Sequence, residues 1–200
     1  MRWDKLFDDL EGQLEHELTA EDLDVQAEEE RLRLGRLSLR DRIAAVVEAG
    51  VVDDATGIHL ILSDGTPLSV RPQTFGRDWF SATLLGGARR SQVIVALTAI
   101  ASVVFSQVQA ERSLTATPSE LSQTSLPARL SLSFVLRDLC RRRAAVDVLT
   151  PIGSVHGTID RVGRDHLDLA VHEVGEARRA SAVRELRAIP LTQLLLVTVR

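Results

Sequence analysis

Gly-Arg-Asp occurs twice in this chain of 200 residues, as Gly76-Arg77-Asp78 in FGRDWFSATL and as Gly163-Arg164-Asp165 in VGRDHLDLAV. Each copy stands just before a segment in which apolar and polar residues alternate. The copies are 87 positions apart, and Leu62 and Leu149 keep the same offset. Leu97-Thr98 and Leu191-Thr192 recur at an offset of 94, which leaves seven extra residues for EVGEARRASA in the second copy. Landmarks repeated at nearly constant spacing predict two copies of one folding unit. The glycine of the motif is expected where positive φ is needed, since glycine adopts it at little cost.

The periodicities fill in each copy. Trp3, Leu6, Phe7, Leu10 and Leu14 recur at spacings of three and four, one apolar stripe on a helix. TAED, with Thr19 and Asp22, reads as a cap. A second helix is predicted over residues 20–48, broken near Gly35. Its last turns present Leu39, Ile43, Val46 and Val47 to a sheet. From Gly57 the period becomes two. Ile58, Leu60 and Leu62 share a face, and Asp64-Gly65-Thr66 is a hairpin signal. TPLSVRP, DWFSATLLG, SQVIVAL and IASVVF complete five strands, with Leu97-Thr98-Ala99 as a tight turn. Residues 106–126, rich in Ser, Thr, Gln and Pro, read as a linker. Pro127 then opens a helix with Leu130, Phe134 and Leu139 on its apolar face. Five more strands follow, with IPLTQ standing where ALTAI stood before.

This order resembles the Sm-like small barrel, in which a helix caps a bent five-stranded sheet and a tight turn joins strands four and five. The resemblance rests on IHLILSDGTPLSVRPQTFGRDWFSATLL with VALTAIASVVF, and on VDVLTPIGSVHGTIDRVGRDHLDLAVHE with IPLTQLLLVTV. It covers residues 37–105 and 129–199. The whole chain also resembles an uncharacterised actinobacterial family that opens on an Arg-Trp helix and carries two such units, a likeness that implies no activity. The expected fold is α+β and mostly β. Residues 1–36 form an acidic helical arm, 37–105 a first Sm-like barrel with its helix, 106–126 the linker, and 127–200 the second barrel with its helix. RNA binding by Sm-like proteins implies an Asn after strand two and an Arg-Gly pair near strands four and five. Here Ser81 and Asp168 stand near the Asn position, and neither ALTAI nor IPLTQ holds Arg-Gly. An acid there repels phosphate, so that RNA site is not carried over.

Charge separates the halves of the chain. Residues 1–34 hold 12 acids and 4 bases, and residues 129–200 hold 8 acids and 12 bases, within a net charge of -4. An acidic arm and a mildly basic second half fit mutual attraction or a nucleic-acid face. No apolar run approaches the roughly 18 residues of a membrane span. The acidic N-terminus carries no secretory signal, and the cytoplasm is the expected compartment. A single cysteine, Cys140, excludes an internal disulfide and a thiolate cluster. Its neighbours Arg141, Arg142 and Arg143 lower a thiol pKa, while burial makes it a structural thiol.

Strand parity in the second unit points Val155, Ile159, Leu167, Leu169 and Val171 inward. It gathers His156, Thr158, Asp160, His166, Asp168 and His172 on the other face, with Asp160 near His166 and Thr158 near Asp168. A solvated polar face is favoured there over a metal site, because the spacing fits no ligand motif. In the first unit that face holds Ser69, Arg71, Gln73, Trp79, Ser81 and Thr83. Trp79 is either a contact anchor or covered by a helix of the same chain. Arginines after a helix, as in CRRR, complement its dipole. No phosphate loop, nucleophile elbow or paired-carboxylate motif appears, and Ser154 and His156 lack an orienting acid.

These observations lead to a non-enzymatic binding or scaffolding protein acting through protein contacts, with no catalytic residue, cofactor or metal. The expected interface is Trp3, Leu6, Phe7, Leu10 and Trp79, with a homodimer as one outcome. The alternative is nucleic-acid binding through Arg137, Arg141, Arg142, Arg143, Arg161 and Arg164.

Overall fold

The computed structural model describes residues 23–52, 57–86, 90–115, 126–176 and 178–200. Trp3, Leu6, Phe7, Leu10 and the Thr19 cap lie outside the described residues. The chain divides into a unit over residues 1–39 and a larger one over residues 40–200.

The described part of the first unit is helix α1, residues 23–35. Arg31 pairs with Glu28 and Arg33 with Glu30, each one turn back. The Arg33 hydrogen bonds hold the Glu30 carboxyl below its usual range. Such exposed pairs add little to stability. The helix ends at Gly35, and Arg36 and Leu37 close it with N–H bonds to Arg33 O and Leu34 O.

Helix α2 (Leu39–Glu48) lies in the larger unit from Arg40 onward, with Ile43 and Val46 fully buried. Strands β1 (Ile58–Leu62), β2 (Pro67–Phe75), β3 (Trp79–Leu84), β4 (Gln92–Ala96) and β5 (Ile100–Val104) follow, with a 3₁₀ turn (Leu97–Ala99) between the last two. Then come α3 (Gln107–Leu114), α4 (Leu126–Arg129) and α5 (Leu132–Arg142). The second set of strands is β6 (Ala145–Thr150), β7 (Gly153–Val162), β8 (His166–Val171), β9 (Glu185–Pro190) and β10 (Leu196–Val199), with a 3₁₀ turn (Leu191–Gln193) before β10.

The ten strands among the described residues join one antiparallel sheet in the order β5-β1-β2-β3-β4-β10-β6-β7-β8-β9. The first five neighbours and the last five follow one pattern, and β4 pairing with β10 links them. The ladder is linear, so the sheet is not closed and β5 and β9 are its edges. The buried residues of both halves form one contiguous core. The repeat reaches into irregularities. β2 bulges between Pro72 and Thr74 against β3, and β7 between Ile159 and Arg161 against β8. Both bulges keep the offset of 87.

Four expectations need correction. Leu62 corresponds to Thr150 and not to Leu149: both end the inward rows Ile58, Leu60, Leu62 and Val146, Val148, Thr150. The shorter second hairpin moves this strand by one residue, which reverses its faces. The linker expected over residues 106–126 begins with α3. That helix starts in a capping box of Ser106 and Gln109 and buries Gln109, whose Nε2 donates to Gly57 O at 2.8 Å. Polar residues hid this helix because its packing contacts are hydrogen bonds. Phe134 does not face the core and is 53% exposed, and Leu130 precedes α5. The chain breaks at residues 130–131, and the helix restarts in a phase set by Leu132, Leu136 and Leu139. Phe134, two residues from Leu132, is turned about 200° from that stripe. Finally, Thr158 pairs with Ala170 and Arg161 with Asp168, so Asp160 falls in the bulge and bonds Arg178 instead of His166.

Candidate protein-binding site

The repeated Gly-Arg-Asp has the same backbone task in each half. Gly76 N–H donates to Trp79 O at 2.8 Å, and Leu97 N–H donates to Asp78 O at 3.0 Å. In the second half Gly163 N–H donates to His166 O at 2.8 Å, and Leu191 N–H donates to Asp165 O at 2.7 Å. The turn therefore ties the start of the third strand to the 3₁₀ turn after the fourth. Neither Gly76 nor Gly163 has positive φ, contrary to expectation. Glycine is required because the ring three residues on lies over its Cα. A Cβ on Gly76 would meet Trp79 Nε1 at 2.0 Å, and one on Gly163 would meet His166 Cε1 at 2.5 Å.

The surroundings of the two turns differ. In the first half the turn grips the start of α5. Leu130 O accepts from Arg77 N–H at 2.9 Å and from Trp79 Nε1–H at 3.0 Å. Asp78 Oδ1 accepts from Leu132 N–H, the first of α5, at 2.7 Å. The Ser131 side chain at the N-cap bonds the Ser133 hydroxyl and makes no cap, so Asp78 satisfies a donor that a helix start leaves unpaired. Arg40 Nε steadies the turn from α2 by donating to Gly76 O at 2.7 Å. Trp79 is only 5% exposed. The side chain is covered by its own chain and does not face outward as parity predicted, so the expected role as an exposed contact anchor for a partner is corrected: its Nε1–H holds the segment before α5 instead. Beside it, β4 and β10 pair from Val95 with Leu196 to Gln92 with Val199.

In the second half the same turn is exposed. Arg164, Asp165 and His166 face outward, and Asp165 bonds its neighbour His166 Nδ1 at 2.8 Å. That bond raises the His166 pKa above the usual imidazole value and lowers that of Asp165. Among the described residues, the Arg164 N–H has no hydrogen-bond partner, whereas its repeat Arg77 has one. The adjacent strand β9 is exposed over residues 185–188.

The sequence held a further signal for this junction. Arg36-Leu37-Ser38-Leu39 recurs as Arg129-Leu130-Ser131-Leu132 at an offset of 93. The second copy is the segment gripped by the first turn. Under the same offset Ile43 and Val46 align with Leu136 and Leu139, the buried faces of α2 and α5. Leu132 is 6% exposed, and its repeat Leu39 is 39% exposed.

The histidine face is not the expected solvated surface. Thr158 and His172 are buried, and Thr158 Oγ1 donates to His172 Nε2 at 2.9 Å while His172 Nδ1 donates to Glu173 O. His156 Nδ1 donates to Asp147 Oδ1 at 2.6 Å, and Arg200 Nε donates to the other Asp147 oxygen. The His156 and His172 rings meet edge to face at 5.1 Å. Among the described residues His156 Nε2 is buried with no hydrogen-bond partner. His166 lies apart from this cluster, on the turn. Among the described residues no group of three or more His, Cys, Asp or Glu is placed to hold a metal ion. Ser69, on the corresponding face of the first half, bonds His59 at 2.8 Å.

The arginines scatter. Arg141 and Arg142 both pair with Asp138 one turn back. Arg137 reaches Gly163 O at 3.4 Å. Arg143 ends α5 in the left-handed region at φ 53°. Arg161 and Arg164 are exposed, Arg161 opposite Asp168. Cys140 is half-buried with its thiol on Asp160 O.

No protein-family model, curated protein or solved structure matches the chain. Among the described residues no helix is long and apolar enough to cross a membrane.

Proposed function

We propose that the protein is a non-enzymatic binding or scaffolding protein built from two Sm-like units, and that it works through protein–protein contacts at the turn holding Gly163, Arg164, Asp165 and His166. The single observation behind this is that an equivalent turn already binds a helix start within the chain. The second turn keeps the same backbone bonds, and among the described residues its Arg164 N–H has no hydrogen-bond partner. The Sm-like assignment draws support from the strand order in each half, the helix before it and the 3₁₀ turn between strands four and five. The nucleic-acid reading draws less support. Arg141 and Arg142 are engaged by Asp138, and Asp165 and Asp168 flank the remaining arginines, an unfavourable arrangement for phosphate.

A photo-crosslinking residue in place of His166, in extract of the source cells with and without nuclease, tests this. The expected product is a protein adduct that survives nuclease. Adducts abolished by nuclease would instead establish the nucleic-acid reading, and no adduct at all would refute a binding role for this turn.

A further inference from the structure

We infer that helix α1 is a dimer contact, pairing antiparallel with α1 of a second copy of this chain. The inference is independent of the turn at Gly163–His166. Of residues 23–35 only Arg33 is half-buried, and the rest are exposed. A helix of this length is marginal in water by itself, because helices in proteins draw most of their stability from a packed apolar face. Leu23, Ala27 and Leu34 share such a face, within an arc of about 60° that also includes Glu30. Leu23 is 60% exposed and Leu34 37%.

Charge decides what covers this face. The acids of α1, Asp24, Glu28, Glu29 and Glu30, all lie in its first part. Its arginines, Arg31 and Arg33, lie in its second part, with Arg36 just beyond. A parallel pair sets like charges together, whereas an antiparallel pair sets the acidic part of each copy against the basic part of the other. The apolar positions are symmetric about the same midpoint, between Glu28 and Glu29. Leu23 and Leu34 are equally far from it, as are Ala27 and Glu30. A two-fold contact therefore sets Leu23 of one copy against Leu34 of the other. Asp24 and Arg31 lie on one flank of the stripe, so each meets the other's counterpart across the pair. Val25 and Leu32, also exposed, lie about 180° round the helix. Pairing through them sets Glu28 of one copy against Glu29 of the other, so charge selects the Leu23 face. The N-terminal segment is the competing cover, and its sequence disfavours it. Glu11, Glu15 and Glu17, nearest to α1 along the chain, carry the same charge as the first part of α1. A pair of short helices makes a small contact, so the dimer is reversible and depends on concentration.

The test is a charge exchange in the full-length protein, read by sedimentation equilibrium at low salt. Wild type should rise with concentration toward twice the mass of the chain. Asp24→Arg alone sets cations together at both symmetric positions, and Arg31→Asp alone sets carboxylates together. Each variant should therefore need about tenfold more protein to dimerise. Mixed one to one, the two variants restore both attractions and should dimerise as readily as wild type. High salt should shrink these differences. Val25→Ser, on the opposite face, should change nothing. Direction is read in a Cys140→Ser background. Leu23→Cys and Leu34→Cys, oxidised as a mixture, should cross-link to each other faster than either does to itself, because only opposed positions come within disulfide reach. A wild type that stays monomeric at every concentration would overturn the inference, as would single variants that dimerise like wild type or a mixture that does not recover. Faster cross-linking of either cysteine to itself would overturn the antiparallel arrangement. None of these outcomes bears on the nuclease-resistant adduct at position 166, which tests the turn by itself.

Discussion

Replacing Asp78 by alanine removes the only hydrogen bond described for the first N–H of α5, across 54 residues of sequence. Ser131 does not take over, since its hydroxyl is held by Ser133. Loss of an N-cap costs about 0.5–2 kcal/mol. The carboxylate also faces the positive end of the helix at a partly buried position, which contributes up to about 2 kcal/mol. The two effects share one bond, so their sum overstates the loss and the expected cost is about 2 kcal/mol. For a chain of this size that lowers Tm by roughly 4–8 °C. The repeat supplies the control. Asp165 has the same place in its turn but, among the described residues, caps no helix, so Asp165→Ala should leave stability close to that of wild type. Asp78→Asn keeps an acceptor without the charge and should fall between. Urea unfolding followed by circular dichroism measures all three, with equal m values confirming like-for-like comparison. Equal losses for Asp78→Ala and Asp165→Ala would refute the claim that the first turn grips a helix and the second does not.

The glycines should differ in the same sense. Gly76→Ala forces its Cβ onto the buried, hydrogen-bonded Trp79 ring and should cost about 1–3 kcal/mol or more. Gly163→Ala meets the half-exposed His166 ring, which swings aside, and should cost under about 1 kcal/mol. Thermal unfolding ranks the pair, and a larger loss at Gly163 would contradict the packing argument. His166 should titrate above the ordinary imidazole value, and Asp165→Asn should bring it down, as read from its ring protons by NMR. The sign follows from the raised pKa. The small stabilisation from this exposed pair is present below the ordinary imidazole pKa and disappears as pH rises through the raised one; on the acid side it disappears as pH falls through the lowered Asp165 value.

Alternation and turn signals made the ten strands legible, because each strand has one buried face and the period survives in the composition of the row. Gly-Arg-Asp was legible as a repeat but not as a device. Its glycine answers to a ring three residues away, and no local rule about φ reveals that. Leu37 and Leu130 looked like ordinary apolar residues because their carbonyl and N–H groups, not their side chains, define the gripped segment. The joining of β4 to β10 was hidden for a related reason: Val93, Ile94 and Val95 suit a strand inside one unit and a strand between two equally well. The burial of His172 and the partial burial of His156 followed neither from parity nor from polarity. It depends on Asp147, Thr158 and Arg200 closing around them, three positions separated widely along the chain.

The central claim is that one turn is closed in the first half and its repeat is open in the second. Residue-resolved hydrogen exchange of full-length protein at low concentration compares the two outward amides directly. The Arg77 N–H, bonded to Leu130 O, should exchange orders of magnitude more slowly than the Arg164 N–H, which should exchange near the rate of an unstructured chain. An Arg164 amide as protected as that of Arg77 in dilute monomer would contradict the account.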